Sequence, residues 1–207
     1  METQTFYTKE QYLLPLEVLA KILPSKQEQL NFMKEKLIWQ GGQGMKGVLD
    51  QLEPLINNLG QEPILRAQTM YKYFKEQEQF KECFEPVIAM SPKNFLSCWV
   101  SLTPDLKTAI TTTPEGKSIQ EMYLPNTFCK IVSTIGLFGS EAMVLSPKDN
   151  IVISYEPEEW YSYTTKNWWE KFLIFLHLRK RILTLETSFK LGVKVVNPTH
   201  CIYTQIN

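Results

Sequence analysis

Two histidines, His177 and His200, and four cysteines, Cys83, Cys98, Cys129 and Cys201, carry most of the metal-ligating and nucleophilic capacity of this chain. Imidazole is the usual proton shuttle at neutral pH and a common metal ligand, so a supply this small excludes most metal and acid–base designs. The cysteines form no CxxC pair and no short spacing, which fits neither a zinc framework nor a disulfide scaffold; reduced, mostly buried thiols are expected. His200 precedes Cys201, but neighbours on a strand point to opposite faces and make no nucleophile–base pair. A pairing of His177 with a distant cysteine stays open.

Three further groups have suggestive residue types. Gly42-Gln43-Gly44-Met45-Lys46-Gly47 matches GxGxxG and leads toward a helix whose free N–H groups could hold a phosphate. A dinucleotide fingerprint needs a strand before the glycines and an acidic residue ending a second strand. Here a helix precedes and a helix follows, so a helix–helix turn is the first reading and a nucleotide site over Gly41–Gly47 the alternative. Glu156, Glu158 and Glu159 lie beside Trp160, Tyr161 and Tyr163, the residue types of a sugar subsite, yet Pro157 in a polar bend favours a solvated loop. Arg179-Lys180-Arg181 wraps around a helix as a collar rather than a stripe, a poor groove for nucleic acid.

The elements that must position these groups divide the chain by pattern. Leu13, Leu16, Leu19, Ile22 and Leu23 share a helical face over 8–23, closed by Pro24. Ser25 and Glu28 form a capping box for a second helix to Trp39. Helical spacing returns over 48–59, with Gly60 as cap, and over 63–84 behind Pro63. Residues 1–85 therefore read as a helical lobe. From Pro86 on, alternation takes over: Leu96, Cys98, Val100 and Leu102 oppose Phe95, Ser97, Trp99 and Ser101 as in a strand. Turns such as Pro114-Glu115-Gly116 and Ser146 to Asn150 separate strands predicted at 106–113, 119–124, 128–135, 142–145 and 151–155. A long helix over 167–190, capped by Asn167 and ended by Gly192, follows; its apolar first half is expected to be buried. Strands at 193–196 and 201–206 close the chain. The fold class is α+β: an N-terminal helical region, a central antiparallel meander, and a long C-terminal helix with short terminal strands. Residues 1–207 read as one globular unit, a helical lobe 1–85 beside the meander and helix of 93–207.

Of 207 residues 43% are hydrophobic and 12% aromatic, enough for a sizeable core. Lys and Arg number 22, as do Asp and Glu, so no global field draws nucleic acid or anionic lipid. The start METQTFYTK lacks the basic and apolar regions of a secretory signal, and Phe172 to Leu178 is far shorter than a membrane span of roughly 20 residues. A cytoplasmic protein without a span is expected, reaching a membrane only through a partner complex.

Asn197-Pro198-Thr199-His200 resembles the self-cleaving loop of type III secretion export-gate proteins, over four or five residues and without that family's membrane helices. In size, balanced charge, free cysteines and helix-plus-meander layout, the chain is similar to the accessory adaptors and chaperones of bacterial secretion systems, including the Dot/Icm type IV coupling complex. With surplus aromatics and no convergent polar set, a non-enzymatic protein-binding role with no cofactor, metal or catalytic residue is expected, and the resemblance agrees with it. The helix or strand of a partner would meet a surface on which Trp160, Tyr161, Tyr163, Trp168, Arg179 and Arg181 are the candidates. A nucleic-acid binder centred on Arg179–Arg181 is the third reading.

Overall fold

The computed structural model describes residues 3–12, 16–54, 62–78, 85–102, 121–164, 167–176 and 183–205. The chain divides into two compact units, one of residues 1–33 and 153–192, the other of 34–152 and 193–207.

The first unit is built on a three-stranded sheet in the order β1 (Gln4–Tyr12), β7 (Leu183–Val195), β6 (Ile151–Thr164). Strand β1 runs antiparallel to β7 with Phe6 opposite Phe189 and Thr8 opposite Thr187. The two rings stack at 5.1 Å. Leu185, Thr187, Phe189 and Leu191 are buried, a period of two that only a strand produces. The long helix expected over 167–190 is therefore corrected. Helix α4 spans only Trp168–Phe175, and the chain resumes as β7 from Leu183. The expected helical lobe 1–85 is corrected too, since it opens with β1. Helix α1 runs unbroken over Leu16–Gln40 with Pro24 inside it, so Ser25 and Glu28 lie in its interior and cap nothing. A proline removes one backbone donor and crowds the preceding turn, but a helix of 25 residues retains the rest of its ladder.

The second unit holds helices α2 (Pro63–Glu76) and α3 (Pro92–Ser101) and a five-stranded sheet. Its strands are β2 (Pro86–Met90), β3 (Glu121–Tyr123), β4 (Lys130–Ser133), β5 (Met143–Pro147) and β8 (Ile202–Thr204), in the order β3-β4-β2-β5-β8. This is no antiparallel meander, because β2 and β4 are parallel, with Ile88 opposite Ile131. Parallel neighbours need a crossover, and α3 lies in the connection between them. Phe95–Leu102, expected as a strand, is that helix: Ser91 Oγ accepts the Asn94 N–H, Pro92 sits in the first turn, and Asn94, Phe95 and Cys98 are buried at helical spacing. The expected helix 48–59 is a single tight turn at Leu49–Gln51, after which Leu52 is already extended; 55–59 lie outside the described residues together with 79–84 and the predicted strand 106–113.

Two apolar clusters sandwich the sheet. Ile88, Met90, Ile131, Met143, Leu145 and Ile202 join α2 and α3 on one face, through Met70, Phe74, Phe95 and Cys98. Ala89, Val144, Tyr203, Val193, Val195 and Leu137 form the other. The end of α1 packs against the turn Ile135–Leu137: Gln40 Nε2 donates to the Gly136 carbonyl at 2.7 Å, and Thr134 Oγ1 to Glu35 Oε2 at 2.8 Å. A Cβ on Gly136 would stand 2.3 Å from both the Glu35 carbonyl oxygen and Trp39 Cδ1. We predict that Gly136→Ala lowers stability by about 2 kcal/mol or more, the cost of overpacking against backbone that cannot yield. Urea unfolding checks this, and a change within about 0.5 kcal/mol would contradict the packing.

Candidate functional site

The glycine-rich turn spends its donors on itself. Gly41 takes a left-handed φ of +69° and its N–H returns to the Leu37 carbonyl, which caps α1. Gly42 and Met45 exchange backbone bonds at 3.0 Å. Gly47 N–H donates to Asp50 Oδ2 at 2.9 Å, so a carboxylate already occupies the position a phosphate would need. The nucleotide-site alternative is corrected on this geometry.

Asn197-Pro198-Thr199-His200 forms a tight turn in which Asn197 Oδ1 accepts the Thr199 N–H and, at 2.7 Å, its hydroxyl. The buried Asn150 clasps the same residue: its Oδ1 accepts the Asn197 N–H at 2.8 Å, and its Nδ2 donates to the Asn197 carbonyl at 2.9 Å. These bonds are those of a capped proline turn held against the sheet. Cys201, next in sequence, is buried, and burial pushes its thiol up to about 11. Cys98 is buried more completely, and desolvation pushes it up to about 12, against a smaller pull from Arg66. Such thiols stay protonated and unreactive at neutral pH. His177 and Cys83 lie outside the described residues. Among the described residues no group of three His, Cys, Asp or Glu could hold a metal ion.

The buried cation of the second unit is Arg66, which donates from Nη1 to the Glu141 carbonyl at 3.0 Å. The Glu141 carboxylate pairs with Lys93 at 2.7 Å, and that bond holds it below the usual carboxylate range. The Glu156 carboxylate pairs with Lys190 across β6 and β7 at 2.9 Å, on a strand rather than in the solvated bend expected there. In the first unit a groove of about 210 Å³ between α1 and the sheet is lined by Leu30, Met33, Leu185, Thr8 and Thr187, and Lys26 and Glu10 pair on its rim at 2.6 Å. It has no convergent set of reactive groups.

The surface that stands out is α4. Asn167 Oδ1 accepts the Trp169 N–H at 3.3 Å and opens the helix, as its cap position implies. Trp168, Trp169 and Phe172 form a ring cluster with centroids 4.8 to 6.2 Å apart. All three are exposed, as are Phe175 and Leu176, although this apolar stretch reads as buried in sequence. Of the residues expected to meet a partner, Trp168 is thus at the centre of this cluster. Trp160, Tyr161 and Tyr163 lie on β6, and Arg179 and Arg181 lie outside the described residues. Trp169, Phe172 and Phe175 are exposed against expectation, since an all-round apolar helix reads as core.

No family profile and no curated protein matches the chain. Solved structures do, along its whole length. The capsid of an empty GTA particle shares its fold at a TM-score of 0.62 and 8% identity, over 98% of this chain and 76% of that one. A structure from Gordonia phage Cozz matches at 0.58 and 11%, over 100% and 70%. The holo-SrpI encapsulin of Synechococcus elongatus matches at 0.53 and 11%, over 98% and 73%. These neighbours are phage capsid and encapsulin proteins of the HK97-like type. The chain has that fold.

The similarity to secretion-system adaptors and chaperones is overturned by these neighbours. It rested on size, charge and layout, none of which encodes topology, and the parallel β2–β4 pair is a matter of topology. The nucleic-acid reading falls with it. The neighbours are structural, non-enzymatic proteins, in agreement with the expectation of no enzyme. Proteins of this fold assemble into multi-subunit complexes. Among the described residues no helix is long and apolar enough to cross a membrane.

Two outcomes follow from the buried groups. Asn150→Ala leaves the Asn197 N–H and carbonyl without their clasp and should cost about 2 kcal/mol in denaturant unfolding. A thiol that titrates higher folded than unfolded favours the fold while protonated. The Cys98 contribution is therefore complete below pH 9 and is lost as pH rises toward about 12. Unfolding midpoints across that range should fall for the wild type and fall less for Cys98→Ala.

Proposed function

We propose that this chain is a structural subunit of a closed protein shell, assembled from many copies of itself and without enzymatic activity. The observation that carries the reading is the fold likeness, which spans 96 to 100% of the chain across phage, encapsulin and virus-like particle structures. The exposed apolar groups agree with it. Besides α4, helix α3 presents Leu96, Trp99 and Val100 outward at helical spacing, opposite its core face. Exposed apolar surface on both units is what a subunit needs if several different contacts must close a shell.

In this reading residues 1–207 act as one functional unit, the partner is another copy, and assembly takes place in the cytoplasm. The region from Trp160 to Arg181, with Tyr161, Tyr163, Trp168 and Arg179, supplies part of the contact surface. Expression of the full chain, followed by size-exclusion chromatography and negative-stain electron microscopy, tests it. Closed particles of uniform diameter are expected. A monomer that persists to the highest soluble concentration would refute the shell role.

A further inference from the structure

We propose that the aromatic patch of α4 is a like-to-like contact, covered in the assembled protein by the α4 patch of another copy of this chain. The inference rests on the shell reading and adds to it the surface by which copies meet.

The patch is as large as the largest apolar patch an ordinary monomer carries. Trp168 is 65% exposed, Trp169 62% and Phe175 77%, with Phe172 and Leu176 near half. With about 150–250 Å² carried by each large aromatic side chain, the five leave roughly 600 Å² of apolar surface in water. That stands at the upper end of the ~300–600 Å² patch of an ordinary monomer. It is also about three quarters of the ~800 Å² that each partner brings to an interface of standard size. Two such patches face to face come close to a stable contact unaided.

Its form suits that use. Trp168 lies nearly parallel to Phe172, at 14°, while Trp169 stands edge-on to both, so the rings brace one another before any partner arrives. Little side-chain freedom is then left to lose on docking, and tryptophans braced in this way are the residues that dominate interface energies. The helix carries one acidic and one basic residue, Glu170 and Lys171, so two copies meet without net repulsion. A surface that is apolar, rigid and neutral overall suits its own copy, and a contact between identical patches forms where a two-fold axis of the assembly passes beside α4.

Three full-length variants test this beside the wild type: Trp169→Glu, Phe175→Glu and Phe175→Cys. Both glutamates replace exposed side chains, so far-ultraviolet circular dichroism and melting should match the wild type. Light scattering against concentration should show assembly displaced at least tenfold toward higher concentration. Under mild oxidation Phe175→Cys should give disulfide-linked pairs on a non-reducing gel, above the background of the four native thiols in the wild type. If folded glutamate variants assemble like the wild type and no linked pair forms, the α4 contact is wrong, while closed wild-type particles would leave the shell reading standing. If the wild type makes only small oligomers that Phe175→Glu dissolves, α4 is the contact and the shell reading fails. A monomeric wild type that floats with vesicles of phosphatidylglycerol and phosphatidylcholine, and loses flotation on Trp169→Glu, would assign the patch to lipid and overturn the proposal.

Discussion

Strand β2 is buried on both faces, and the second unit is organised around that constraint. Ile88 and Met90 point into the cluster shared with α2 and α3, while Ala89 between them points into the opposite cluster. The neighbours repeat the alternation: Ile131 against Val132 in β4, Leu145 against Val144 in β5, Ile202 against Tyr203 in β8. A strand with apolar surface on both sides cannot face water on either, so the unit must supply a layer above and a layer below. One layer is helical. The other is assembled from distant pieces, among them Val48, Leu137, Val193 and Val195.

Past Leu191, where the pairing of β7 with β1 stops, side-chain amides bond the backbone of the chain. Gln51 receives the Val195 N–H on its Oε1 at 3.0 Å and donates from Nε2 to the Val193 carbonyl at 3.3 Å. Asn150 does the same for both backbone groups of Asn197. Each amide offers one donor and one acceptor in the arrangement of a peptide group, so the Val193 carbonyl, the Val195 N–H and both backbone groups of Asn197 are bonded as they would be in a ladder. Asn197-Pro198 thereby acquires a structural explanation: the proline turn redirects the chain into β8, and the clasp on Asn197 sets where it turns.

What could be read from local pattern depended on whether pattern and packing agree. The strands near 119–124, 128–135, 142–145 and 201–206 all appear, close to their expected positions, because Pro147 to Asn150 and similar turns punctuate them chemically. At Phe95–Leu102 the residues satisfy alternation and helical spacing together, and the deciding signal was Ser91-Pro92, a cap and a first-turn proline placed before the ambiguous stretch. At Leu183–Val195 the β-branched Thr184, Thr187, Val193 and Val195 marked a strand, but the apolar run ahead of them drew the reading toward one long helix. The parallel pairing of β2 with β4 left no local trace, since register between distant strands is a property of the folded whole.

Function was harder to read for a related reason. Catalysis concentrates unusual residue types at one place, and here the reactive types are few and neutralised: thiols desolvated, the glycine turn closed on Asp50, Asn197 clasped by Asn150. Apolar residues that face outward leave no such mark, since an outward leucine or tryptophan looks the same in sequence as an inward one. Trp168, Trp169, Phe172 and Phe175 all fall in a stretch that reads as core, because an apolar helix is buried whenever its own fold has a place for it. In this molecule the described aromatic residues of α4 stay exposed, so the quantity that separates core from surface is exposure in the folded chain, which the apolar pattern of a helix does not carry.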